Sequence, residues 1–286
     1  MMQRRLRTDG AMALMMASLL LLVVGCPEPY YDDDIGLEGV ATDTGALAGV
    51  FGVKVFAATL VKVIGLPDEL GGGFQWLLAE RSYDEGSGTY TQTTKLCDGV
   101  NLEVHGTAAN VPRSTYDAVP VGPAETVTVD HATGEYGAAG LVQLWGIKDL
   151  DDPAKSPLPT SQEEAESAAF ASKIYDMDGD GEPGYTTTVT GVASGDAYGV
   201  LRRQSRFRGV VLDVDHILGL TTTEYDSFVL GASNAAVEAL MGSSAPPYPD
   251  PKESWFEERR LENGSACADV LALEETGGFE AWNPFY

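Results

Sequence analysis

The stretch "VFGVKVFAATLVKVI", residues 50–64, decides the fold. Phe51, Val53, Val55, Ala57, Thr59, Val61 and Val63 fall on one side by strict alternation, with Lys54 and Lys62 on the other. A period of two belongs to an extended strand, whose successive side chains point to opposite faces. Outward from it the same grammar repeats. "FQWLLAERSY" and "TYTQTTKL" flank "DEGSG", and "ETVTVD" and "AAGLVQLWGI" flank "HATGEYG", each a glycine-bearing hairpin signal. Further on, "YTTTVT", "AYGVLRRQSRFRGVVLDV" and "TEYDSFVL" follow one another with short turns. A last pair is read across Asn263-Gly264, the dipeptide that best fits a two-residue hairpin turn.

Two short helices interrupt the series. "PTSQEEAESAAFASKIY" begins with Thr160 and Ser161 three residues before Glu163 and Glu164, the spacing of a capping box. "SNAAVEALM" follows Gly231, with Ser233 read as its N-cap. Around ten strands joined mostly by hairpins leave two exposed edges unless the sheet closes on itself. The expectation is therefore a mainly β domain over 49–286, an antiparallel meander closed into a barrel, with Gly209 a kink in the long strand. A two-sheet β-sandwich satisfies the same signals. An outer-membrane barrel does not fit, because alternate faces carry Lys, Arg, Glu and Asp instead of a continuous apolar band.

The N-terminal 25 residues read as an export signal. Arg4, Arg5 and Arg7 precede an apolar run from Ala11 to Val24 that is too short to span a bilayer comfortably. The tetrapeptide Val23-Val24-Gly25-Cys26 resembles the lipobox of bacterial lipoproteins. That resemblance implies cleavage before Cys26, acylation of its thiol and a membrane anchor through the lipid. Pro27, where an Asp would retain the protein in the inner membrane, fits sorting to the outer membrane, on its periplasmic or surface side. Residues 26–48, rich in Pro, Asp and Gly, read as a flexible acidic tether. Loss of three arginines and Asp9 takes the formal charge from −25 to −27, a field that repels nucleic acid and attracts cations. Once Cys26 carries lipid, Cys97 and Cys267 are left in an oxidising compartment and are expected to form a disulfide.

"YDMDGDGEPGY", residues 175–185, places Asp176, Asp178 and Asp180 at alternate positions with Gly181 at the sixth. Calcium takes six to eight oxygens, and a short loop can supply them when carboxylates recur every second residue around a sharp turn. The loop resembles the DxDGDG calcium loops of thrombospondin type 3 repeats, dockerins and EF-hands. The resemblance implies a structural Ca2+ held by Asp176, Asp178, Asp180 and Glu182. It departs from the EF-hand at Pro183 and at Thr187, which stands where the bidentate glutamate would be; a remaining ligand would come from Glu182 or a distant acid such as Asp196.

Other constellations are weaker. Gly231-Ala232-Ser233 before a helix has the outline of a nucleophile elbow, but no histidine follows the serine. His105, His131 and His216 are too far apart in sequence for a zinc spacing, and alternation through "LDVDHIL" sets His216 opposite Asp213 and Asp215. Arg202, Arg206 and Arg208 share one strand face. That face is either solvated or, if turned inward, an anion-binding site. The functional expectation is a lipid-anchored, non-catalytic, calcium-stabilised envelope domain that binds a small apolar or anionic ligand. An envelope module for a protein or glycan partner is the alternative, and a carboxylate-based hydrolase comes third.

Overall fold

The computed structural model describes residues 35–61, 67–191, 193–241, 246–281 and 283–286. The lipobox, Cys26 and the first part of the tether lie outside these residues, as do Lys62 and Val63. The chain is mainly β and antiparallel. In chain order its strands are β1 (Gly49–Val61), β2 (Glu69–Asp84), β3 (Thr89–Asn101), β4 (Ala108–Asn110), β5 (Glu125–Val129), β6 (Glu135–Trp145), β7 (Tyr185–Thr190), β8 (Gly195–Asp213), β9 (His216–Ala232) and β10 (Trp255–Leu261). Eight of them hydrogen-bond in the order β1-β2-β3-β5-β6-β8-β9-β10, and β10 returns to β1, closing a ring. The short strands β7 and β4 extend from the N-terminal part of β8.

The alternation of residues 50–64 holds where it is described. Phe51, Val53 and Val55 point into the ring and meet Leu77, Ala79, Tyr90, Phe207, Val211, Ile217 and Phe256. Val50, Lys54 and Phe56 point outward, yet each is buried, because the outer face is covered too. Helix α4 (Cys267–Glu275) packs Val270 beside Val50, Leu78 and Cys97. The Cys97–Cys267 disulfide ties this helix to β3. Gly209 is not a kink: β8 runs on without a register shift there, paired with Gly219. A Cβ at Gly219 would lie 2.6 Å from the Phe256 ring, so the glycine pair makes room for Phe256.

Five further sequence readings change. Asn263-Gly264 does not join two strands; Gly264 takes φ 87° and the chain turns from β10 into α4. The helix read from Pro159 shrinks to one turn, α2 (Gln162–Ala165), capped by Ser161 and with Thr160 bonded to Glu164. Ser167 ends it by donating its hydroxyl to the Glu164 carbonyl at 2.6 Å, a local side-chain bond that competes with helix propagation. Helix α3 (Ala235–Met241) is present, but Asn234 caps it through bonds from the N–H groups of Ala236 and Val237, while Ser233 Oγ accepts from Asp196 N. Asp213 pairs with His216 across a turn at Val214-Asp215, so "LDVDHIL" is a hairpin and not one strand. Residues 35–48, read as tether, pack on the ring: Ile35 and Leu47 are buried, and Val40 N donates to Val211 O at 2.9 Å. One further helix, α1 (Arg113–Ala118), had no reading in the sequence.

Replacing Cys97 and Cys267 together by Ala is expected to lower the unfolding free energy by roughly 2–5 kcal/mol, since the bridge closes a very long loop. The urea midpoint of the two proteins measures it; equal midpoints would mean that packing alone holds α4.

Candidate metal centre

The acidic loop joins the turns after α2 to β7. Its base is fixed by backbone bonds from Tyr175 N to Gly146 O (3.1 Å), Met177 N to Gly184 O (2.9 Å) and Gly184 N to Tyr175 O (3.0 Å). Met177 is buried and packs with the ring's core, so the loop is pinned from beneath while the aspartates at 176, 178 and 180 face one another above. Gly179 (φ 77°) and Gly181 (φ 95°) make the turn. Nothing lies within 4 Å of a Cβ at either, so backbone conformation and not crowding demands glycine.

One carboxylate oxygen from each of Asp176, Asp178 and Asp180 lies within 4.8 Å of the others. Asp176 accepts from the N–H groups of Gly179 (2.7 Å), Asp180 (3.2 Å) and Gly181 (3.0 Å), which wraps the loop around it. Asp180 accepts from Glu182 N (2.9 Å) and Thr186 Oγ1 (2.6 Å). Asp178 Oδ2 accepts from Thr186 N (2.8 Å) and from Thr115 Oγ1 of α1 (2.7 Å), while its Oδ1 is buried with no donor. Glu182 stays outside the converging set and is exposed. Asp196 is engaged at a distance, accepting from Thr188 Oγ1 across β7 and β8. Three hard oxygens so disposed suit a hard divalent cation, with further oxygens from carbonyls or water.

The arginines separate. β8 presents its odd residues inward, so Arg202, Arg206 and Arg208 lie on the outer face. Arg202 pairs with Asp226 Oδ2 at 2.6 Å and is covered by the Ser156 carbonyl; Arg206 and Arg208 are exposed. The inward arginine is Arg203, only 1% exposed. Of the two readings the sequence left open for these three arginines, the structure places them on the outer face and not inside the ring.

A second set of ionisable groups lies inside the ring. Arg81 Nη2 contacts Glu258 Oε2 (2.7 Å) and the Tyr136 hydroxyl (2.8 Å), and Tyr136 donates to Glu258 Oε1 (2.8 Å). Arg81 Nε also donates to Gln92 Oε1 (2.9 Å), and Gln92 Nε2 to Glu125 Oε1 (3.3 Å). Burial pushes the Glu125 carboxyl up to about 7, with Gln92 and Thr94 partly opposing and Glu258 adding to the rise. A raised carboxyl near a second one is what a hydrolase would need, but both are buried in the closed interior and engaged with Arg81 and Gln92. The histidines do not converge: His216 lies 3.0 Å from Glu257, His105 3.1 Å from Glu69, and His131 3.2 Å from Thr42 Oγ1.

Comparison with protein-family models, with curated proteins and with solved structures finds no match to this chain.

The Glu125 carboxyl binds its proton more tightly in the folded chain than at its ordinary value of 4.5. Its contribution to stability is therefore fully present below pH 4.5 and is lost as pH rises to about 7. Glu125→Gln mimics the protonated acid. It is expected to match the parent near pH 4.5 and to exceed it above pH 7, by up to about 3 kcal/mol, in urea melts across that range. A parallel pH dependence in both proteins would show that Glu125 ionises freely.

Proposed function

We propose that this chain is an exported lipoprotein, anchored through lipid on Cys26 in the cell envelope, whose β domain is non-catalytic and stabilised by one structural calcium ion. The observation that carries the calcium reading is the convergence of Asp176, Asp178 and Asp180, with Asp178 Oδ1 buried and lacking a donor. Three carboxylates at that separation repel one another, and a divalent cation relieves the repulsion while supplying the partner that Asp178 lacks. The Cys97–Cys267 disulfide supports an oxidising compartment, and the acidic charge supports a setting where cations are abundant. In this reading the ion fastens the loop to β7 and, through Thr115, to α1.

The ring interior is filled by its own side chains, from Phe51 and Leu77 to Phe207 and Phe256. That packing favours a surface module, recognising an envelope protein or glycan through its loops, over a carrier of an apolar ligand. The buried position of Glu125 and Glu258 favours neither carboxylate as a hydrolytic group. Outer-membrane placement rests on Pro27 and the lipobox.

Calcium is expected to raise the melting temperature of the domain with an apparent dissociation constant on the order of 0.1–1 mM. Asp178→Asn and Asp176→Asn are expected to abolish that rise while melting like the parent in chelator. Native mass spectra should show one calcium lost on chelation; an unmetallated parent with calcium-independent melting would leave an acidic turn in its place. Cys26→Ser is expected to release the protein from the membrane fraction into the soluble one.

A further inference from the structure

Arg203 is the inward-facing arginine of β8 and is 1% exposed. A guanidinium does not lose its proton in a protein, so its charge is carried into the ring. Among the described residues no carboxylate pairs with it. Its contacts are neutral: Nη1 reaches Gln143 Oε1 at 3.4 Å, and the hydroxyl of Tyr225, opposite it on β9, takes a further bond. Nε is buried with no acceptor. Asp226, one residue along β9 from Tyr225, is held on the outer face by Arg202, and Asp98 is held by Arg113. Burial works against the charge and Tyr225 only partly offsets it.

A second buried donor stands beside it. Gln143 pairs with Arg203 and Trp145 pairs with Leu201, so Trp145 and Arg203 are diagonal neighbours on the inward face. The side chains of such neighbours reach each other across two strands. Trp145 is 2% exposed, and its Nε1, which can only donate, has no acceptor. Tyr116 of α1 and Tyr185 of β7 stack edge-on against its ring at 5.7 and 5.4 Å and close this end. Arg203 Nε and Trp145 Nε1 are thus two buried neighbouring donors without an acceptor, and the first belongs to a charge that no carboxylate offsets.

We propose that the ring holds a small monovalent anion of halide size between Arg203 and Trp145, as an internal counter-ion. A single-atom anion makes the smallest demand on an interior lined this fully by side chains. This site shares no residue with the acidic loop, and bromide reads it with or without calcium present.

The probe is bromide. The full chain, purified and crystallised with sodium bromide as its sole halide, is expected to show an anomalous peak beside Arg203 Nε and Trp145 Nε1. In solution, bromide replacing gluconate at constant ionic strength is expected to raise the melting temperature along a saturating curve and to shift tryptophan emission. Arg203→Met is expected to remove the saturable part, and Arg203→Lys, which keeps the charge but loses Nε, to weaken it at least tenfold. Water at that position in the crystal, bromide found only on the outer face near Arg206, or equal bromide dependence in parent and variants would each overturn the proposal. The crystal result stands on the unaltered protein, so failure of either variant to fold leaves the test decisive.

Discussion

Strand β1 is hydrogen-bonded along both edges, to β2 and to β10, and covered on both faces. The ring exists because the first and last strands meet there. The period of two makes the register unforgiving: a slip of one residue would exchange Phe51, Val53 and Val55 for Gly52, Lys54 and Phe56 inside the ring. In the register found, Lys54 points outward into a cover of C-terminal chain, donating to Glu274 at 2.9 Å and to the Glu280 carbonyl at 3.0 Å. Its ammonium also lies over the rings of Phe74 and Trp255, at 5.2 and 5.9 Å. The placement of α4 and of the chain after it thus follows from which face of β1 carries the lysine.

Closure has a cost inside. Every inward polar group is cut off from bulk water and must find its partner across the ring, because an unpaired one is expensive. Arg81 finds partners on β3, β6 and β10, leaving only Nη1 without an acceptor, with the Phe51 ring beneath its guanidinium at 4.7 Å. Glu258 and Tyr136 are what keep that charge tolerable, and burial keeps the proton on Glu125, at the end of the same chain of bonds, up to about pH 7. Arg203 has no such set, which makes the two ends of the interior electrostatically different.

The strands were legible because alternation and hairpin glycines are local signals. "DEGSG" turns β2 into β3 with Gly88 at φ 68°, and Gly134 at φ 76° serves the next hairpin. Closure followed from the count of strands and the need to remove edges. What escaped was set by partners distant in sequence. Lys54 reads as a solvated residue until α4 covers it, and residues 35–48 read as tether until Ile35 and Leu47 find apolar ground on the ring. Asn263-Gly264 carries the same turn chemistry before a strand or a helix, and only the disulfide and Val270 decide for α4. For the arginines, period two identified the faces correctly; which face is inside depends on Phe207 and Val211, and these outweigh the charges.

The acidic loop and α1 are one mechanical unit. Thr115 is fully buried and spends its hydroxyl on Asp178, while the next residue, Tyr116, lays its ring against Trp145. A six-residue helix without a side-chain cap has little stability of its own, so its position is imposed by these contacts together with the Arg113–Asp98 ion pair to β3. Repulsion among Asp176, Asp178 and Asp180 therefore acts on more than the loop: spreading the carboxylates moves Asp178 away from Thr115 and loosens the helix that closes the ring over Trp145. A cation in the loop would draw the three together and hold that closure, so charge balance on the surface and packing at the ring's end would be set by the same residue.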